Sequence, residues 1–157
     1  MKQAEVTCDQ REVVHAAVSA ADETGEAACA IQLVDGRVVT GKTSSLLGAS
    51  SAALLNALKA IADIDDEVHL ISPEVIGPLQ NLKTNHLGSR TPRIHLDETL
   101  IALSICAAGD PIARRALDGI SSLKGAEAHS SVILSQVDET MFKKLGVNLT
   151  SEAVYSK

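Results

Sequence analysis

Two β-rich runs, Ala28 to Val34 and Arg37 to Gly41, meet at Asp35-Gly36. An Asp-Gly pair between β-formers is the strongest short-range hairpin signal, because glycine accepts the positive φ that tight turns demand. The chain therefore folds back on itself here, with Leu33 expected opposite Val38. The same residues carry a competing pattern: Gly36 to Thr43 (GRVVTGKT) satisfies GxxxxGK[ST], the spacing of a phosphate-cradling loop. Such a loop must curl its N–H groups around an anion between a strand and a helix. Arg37, Val38, Val39 and Thr40, directly after an Asp-Gly turn, favour an extended ladder whose N–H groups cannot converge. The stretch reads as a hairpin ending in a surface Lys42, and no nucleotide or other cofactor is expected.

Elsewhere the periodicity is mainly helical. Residues 9 to 24 open on Asp9 and repeat Val14, Val18 and Ala21 until Gly25. Residues 49 to 62 (ASSAALLNALKAIA) are apolar on nearly every face, the mark of a helix enclosed on several sides. Acidic Asp63, Asp65, Asp66 and Glu67 precede a short buried strand expected at Val68 to Ile71. Ser72-Pro73-Glu74 then reads as a helix start, which Gly77-Pro78 interrupts. Asp97 is placed to cap the next helix, and Asp110-Pro111 starts another that Gly125 closes. A strand is expected at Ser130 to Leu134, a short helix over Asp138 to Leu145, and a last strand within Val147 to Tyr155. Helices alternating with strands, plus one hairpin, predict an α/β fold: a three-layer sandwich around a mixed sheet. The order helix, hairpin, helix, strand, helix resembles cytidine-deaminase-like topology.

The chain has 157 residues, one domain's worth, and only 1% aromatic residues, so its core must be aliphatic. A net charge of −6 opposes a phosphate backbone and makes nucleic acid an unexpected partner. No run approaches the roughly 20 apolar residues that span a bilayer, so no membrane partner is expected. Cys8, Cys29 and Cys106 are odd in number and form no CxxC pair, which fits a reducing cytoplasm. A zinc deaminase needs HxE at one helix start and PCxxC at the next. Ala49-Ser50-Ser51 and Pro73-Glu74-Val75-Ile76-Gly77 stand at those places, so no metal is expected.

The candidate site residues lie mostly in the polar stretch 85 to 95. Asn85, His86, Arg90, Arg93 and His95 gather cationic and hydrogen-bonding groups in an otherwise acidic chain. Arginine grips carboxylates or phosphates bidentately and histidine exchanges protons near neutrality, so a small anionic ligand is the chemistry they suit. The plainer alternative is that the arginines pair with surface acids and His95 packs against the next helix. His129, at the head of a predicted strand, is the remaining candidate. It cannot easily activate neighbouring Ser130, because adjacent strand side chains point to opposite faces. Catalytic residues are not assigned.

Several runs in collinear order carry a family likeness. They include Val39-Thr40-Gly41-Lys42, Leu47 to Lys59, His69 to Pro73, Asn85 to Arg90, Leu100 to Ser104, Glu127 to Leu134 and Lys144 to Thr150. From Ala30 to Tyr155 the sequence resembles the carboxy-terminal third of a bacterial family known as domain of unknown function 1846. Residues 1 to 25 fit it less clearly, which suggests a helical segment ahead of one α/β domain at 26 to 157. The resemblance implies a longer protein with another glycine-rich, GSGK-type segment in its amino-terminal portion. It also implies that any nucleotide chemistry belongs there.

The leading expectation is a non-catalytic or co-catalytic domain that packs on such an amino-terminal portion or on a copy of itself. The alternative is a small-molecule enzyme or an anion-binding domain using the 85 to 95 loop. Convergence of that loop with His129 in one cleft would favour ligand binding or catalysis, and separation would favour assembly.

Overall fold

The computed structural model describes residues 12–43, 47–65, 67–71, 73–88 and 94–152. Helix α1 (Glu12–Thr24) leads into the hairpin β1 (Ala28–Gln32) and β2 (Val38–Lys42), then α2 (Ala49–Ala62) and α3 (Pro73–Asn81). A π-helical turn, Leu82–His86, extends α3. Next come α4 (Leu96–Ala107), α5 (Pro111–Asp118) with a 3₁₀ turn, β3 (Glu127–Ser130), α6 (Gln136–Leu145) and β4 (Asn148–Ser151). The sheet order is β2-β1-β3-β4, antiparallel for the first two pairings and parallel for the last. The mixed sheet with one hairpin is therefore present.

Strand alternation sorts the core into two layers. Cys29 and Ile31 of β1 join the main cluster with Leu54 and Leu58 of α2 and Leu103 of α4. Ala30, pointing the other way, joins Val13, Val14 and Ala17 of α1 in a second cluster. Helix α1 thus covers one face of the sheet, and α2 with its neighbours covers the other. Phe142 is fully buried in an otherwise aliphatic core.

The residues that match a phosphate loop are folded as a ladder. Ala30 pairs with Thr40 and Cys29 with Gly41. The hairpin register differs by one from expectation: Gly36 N–H donates to Leu33 O at 2.9 Å and Leu33 N–H to Arg37 O at 2.7 Å. Gln32, and not Leu33, faces Val38. Gly36 (φ 97°) closes a three-residue loop, a longer hairpin connection than the Asp-Gly dipeptide alone suggests. Gly41 has a separate reason to lack a side chain. A Cβ there would lie 2.2 Å from the Ala53 backbone nitrogen, so α2 rests directly on β2.

Several local expectations change. Residues 67–71 form no strand, since Leu70 and Ile71 bury their side chains in the main cluster without a ladder. The deaminase-like order thereby loses one of its strands. Helix α3 runs through Pro78 instead of breaking at it. His95, not Asp97, stands at the cap of α4, and Asp97 lies in its first turn. Strand β3 comes earlier than expected, at Glu127–Ser130. Ser135 caps α6 by accepting the Asp138 N–H, so the helix begins two residues before Asp138. Tyr155, at the far end of the last expected strand, and Ser72, at the expected start of α3, lie outside the described residues. No described helix is long and apolar enough to cross a membrane.

Candidate functional site

The polar stretch divides into parts with different environments. Asn85 and His86 sit exposed on the π-helical turn, and the Asn85 side-chain amide bonds to Asn81. A π-helical turn is uncommon and is frequently found at functional positions. Leu87 N–H closes it by donating to Leu82 O at 2.9 Å, and Gly88 follows at φ 74°. Arg90 and Arg93 lie outside the described residues.

His95 serves α4 chiefly through its backbone. Its N–H donates to Glu98 Oε1 at 2.8 Å, and its carbonyl accepts from the Thr99 hydroxyl at 2.8 Å. Glu98 also receives the Lys83 ammonium at 2.8 Å, and Lys83 is 5% exposed. Burial alone would raise the Glu98 carboxyl. The His95 N–H and the Lys83 ammonium outweigh it and hold the group below the usual glutamate range. This knot clamps the π turn to the first turn of α4.

His129 belongs to a different layer. It pairs with Ala30 across the ladder and so points to the α1 face, while Ser130 pairs with Cys29 on the opposite face. The ring is 1% exposed and engaged at both nitrogens: Nδ1 lies 2.7 Å from Thr150 Oγ1 and Nε2 lies 2.7 Å from Glu152 Oε2. The ring is thus held from both sides, and the Thr150 hydroxyl also reaches Ala128 O at 3.4 Å. Hydroxyl, imidazole and carboxylate stand in the order of a hydrolase triad, yet the enclosed ring has no open side for a substrate. Its evident work is to tie β3 to β4. Ser130 is not its partner; that hydroxyl donates to Val132 O at 2.6 Å.

A third polar centre escaped sequence reasoning. Asp138, 6% exposed, accepts the Ser50 hydroxyl at 2.8 Å and the Leu96 N–H at 3.0 Å. It lies in the first turn of α6 and binds the first turns of α2 and α4, so one carboxylate meets three positive helix ends. Asp138 also reinforces the effect of burial on Cys29, whose thiol is pushed up to about 12. Among the described residues no group of three or more His, Cys, Asp and Glu side chains could hold a metal ion.

The sheet therefore stands between His129 and His95. His129 faces α1, and His95 leads α4, which packs with α2, α3, α5 and α6. His129, Thr150 and Glu152 come together only through the parallel β3–β4 register. Their spacing of 21 and 23 residues leaves no local signal, although Thr150 and Glu152 show the period of two that puts them on one face.

Comparison with known proteins adds the family. A family model described as "Domain of unknown function DUF1846, C-terminal" matches residues 9–157. The chain belongs to this family. The match takes in α1 as well as the hairpin and everything after it. A UPF0371 protein of Corynebacterium glutamicum (strain R) is 54% identical over 157 residues, which is 100% of this chain and 32% of that protein. A UPF0371 protein of Streptococcus thermophilus (strain ATCC BAA-250 / LMG 18311) is 50% identical over 150 residues, 96% of this chain and 30% of the relative. The chain spans about a third of the length of these curated relatives, all of them uncharacterised.

Proposed function

We propose that this chain acts as the non-catalytic or co-catalytic carboxy-terminal domain of a family protein. It packs on an amino-terminal portion like the one its longer relatives carry and works in the cytoplasm. The observation that carries this reading is the asymmetry of the match: all of this chain corresponds to 32% of the Corynebacterium glutamicum relative. The division of the polar groups supports it. The described candidates sit on opposite sides of a sheet, and His129 is fully engaged within it. Three cysteines without a CxxC pair, one of them a buried thiol, accord with a reducing compartment. Packing on a second copy is the alternative form of the same role.

A metabolite thermal-shift screen on the Corynebacterium glutamicum relative and on this chain, side by side, tests the reading. Stabilisation of the long protein alone is expected. A metabolite that raises the melting temperature of this chain equally would overturn the non-catalytic role.

A second reading is favoured by the π-helical turn that presents Asn85 and His86 to solvent. It makes the 85 to 95 segment an anion-binding surface, with Arg90 and Arg93 as the gripping cations. Under this reading the double change Arg90→Ala and Arg93→Ala abolishes binding of inorganic phosphate measured by calorimetry. Absence of phosphate binding by the unsubstituted chain would remove it.

A further inference from the structure

Helix α4 is open on one side. Leu96, Leu100, Ile101, Leu103 and Ile105 make it mostly apolar, and its polar residues Asp97, Glu98 and Ser104 share the outer side with the two isoleucines. Its inner face is enclosed, since Leu96, Thr99, Ala102, Leu103 and Ala107 are buried. Its outer face is not. Ile101 and Ile105, one turn apart, are each 57% exposed. Among the described residues, exposed isoleucines one turn apart on a rigid helix are an unpartnered contact, whereas scattered single apolar residues need no explanation.

The size of the patch and the length of the relatives argue for one occupant. A stable dimer of free copies buries roughly 800 Å² per partner, and two isoleucine side chains fall well short of that. A covalently tethered neighbour needs far less, because the tether keeps it at an effective concentration on the order of millimolar. The relatives supply such a neighbour, since about two-thirds of their length lies outside the matched region.

Building on the domain role proposed above, we infer that the outer face of α4, carrying Ile101 and Ile105, is the seat of the amino-terminal portion. The contact is apolar and helix-borne. Lys83 and Glu98 fix the register of α4 at the edge of the seat, so the face is presented already rigid.

The test joins this chain to the amino-terminal portion of the Corynebacterium glutamicum relative and follows thermal unfolding. The unsubstituted fusion is expected to melt in one cooperative transition. Ile101→Lys with Ile105→Lys splits it into two and opens the junction to limited proteolysis, while Val34→Lys, an exposed apolar site in the hairpin turn, changes neither. In the chain alone the isoleucine pair should move the melting temperature by less than about 2 °C, and the milder Ile101→Ser with Ile105→Ser repeats the measurement without added charge. A single transition that survives both pairs would overturn the seat while leaving the domain role standing. Two transitions in the unsubstituted fusion would overturn the domain role itself. A dimer of the chain alone that dissociates on the same substitutions would assign the face to a second copy and overturn the inference.

Discussion

Helices α2 and α4 are written in nearly the same alphabet, and the fold treats them oppositely. Both are mostly alanine, leucine and isoleucine, although α4 also carries Asp97, Glu98 and Ser104. Helix α2 is enclosed: Leu54, Leu55, Leu58 and even Lys59 are buried, and Gly41 lets it touch the β2 backbone. Helix α4 encloses only its inner face and holds Ile101 and Ile105 out to solvent. Composition alone therefore marks a helix that needs cover, without saying whether the cover comes from its own chain. For α2 the sheet and α5 supply it. For α4 half of it is missing within the described residues.

The sharpest way to break the contrast is at the contact that encloses α2. Gly41→Ala places a methyl group against the Ala53 backbone, which cannot rotate away, and should cost about 3 kcal/mol or more in chemical denaturation. A cost below about 1 kcal/mol would mean that α2 is less tightly seated than described. Next, Leu58→Ala should cost about 2–5 kcal/mol through transfer and cavity terms. Ile105→Ala, the same kind of truncation on the open face of α4, should stay within about 0.5 kcal/mol in the chain alone. Equal costs would erase the difference between the helices.

A modest effect, well below the Leu58 cost, is expected from acid at the root of α4. The folded Glu98 carboxyl lies below its unfolded value, so its contribution is fully present above the ordinary glutamate range, near pH ~4.3. It is lost as pH falls through the folded value. Glu98→Gln should cost about 0.5–1 kcal/mol at neutral pH and flatten that acid-side loss in a pH series of denaturation midpoints. The gentlest probe leaves the fold intact. With Cys8→Ser removing one thiol, a maleimide reagent at neutral pH should modify Cys106 on α4 and spare Cys29, which lies under α2 with its thiol pushed up to about 12. Labelling of both at similar rates would show that the two layers open together.

Much of the fold was legible in the sequence because its signals are local. The hairpin followed from Asp35-Gly36 between β-formers, and α2 appeared with its observed bounds because fourteen residues repeat without a breaker. Rejection of the phosphate loop rested on β-branched residues after a turn, and the ladder is there. The misplaced elements are those where a local signal met a tertiary one. Val68 to Ile71 is apolar enough for a strand, yet it buries against the main cluster with no ladder to join. Pro78 should interrupt a helix, and α3 continues through it. Asp138 looked like a helix start, whereas its carboxylate turned inward to join three helices.

What the sequence by itself determined was the alternation of elements, the aliphatic core, the family likeness and the polar stretch that contains Asn85, His86 and His95. These depend on neighbours a few residues apart, where backbone preference and periodicity act. The tertiary structure alone decided that His129 meets Thr150 and Glu152, that Asp138 meets Ser50 and Leu96, and that the sheet separates His129 from His95. Such meetings span tens of residues and depend on strand register and helix packing, which no local propensity encodes.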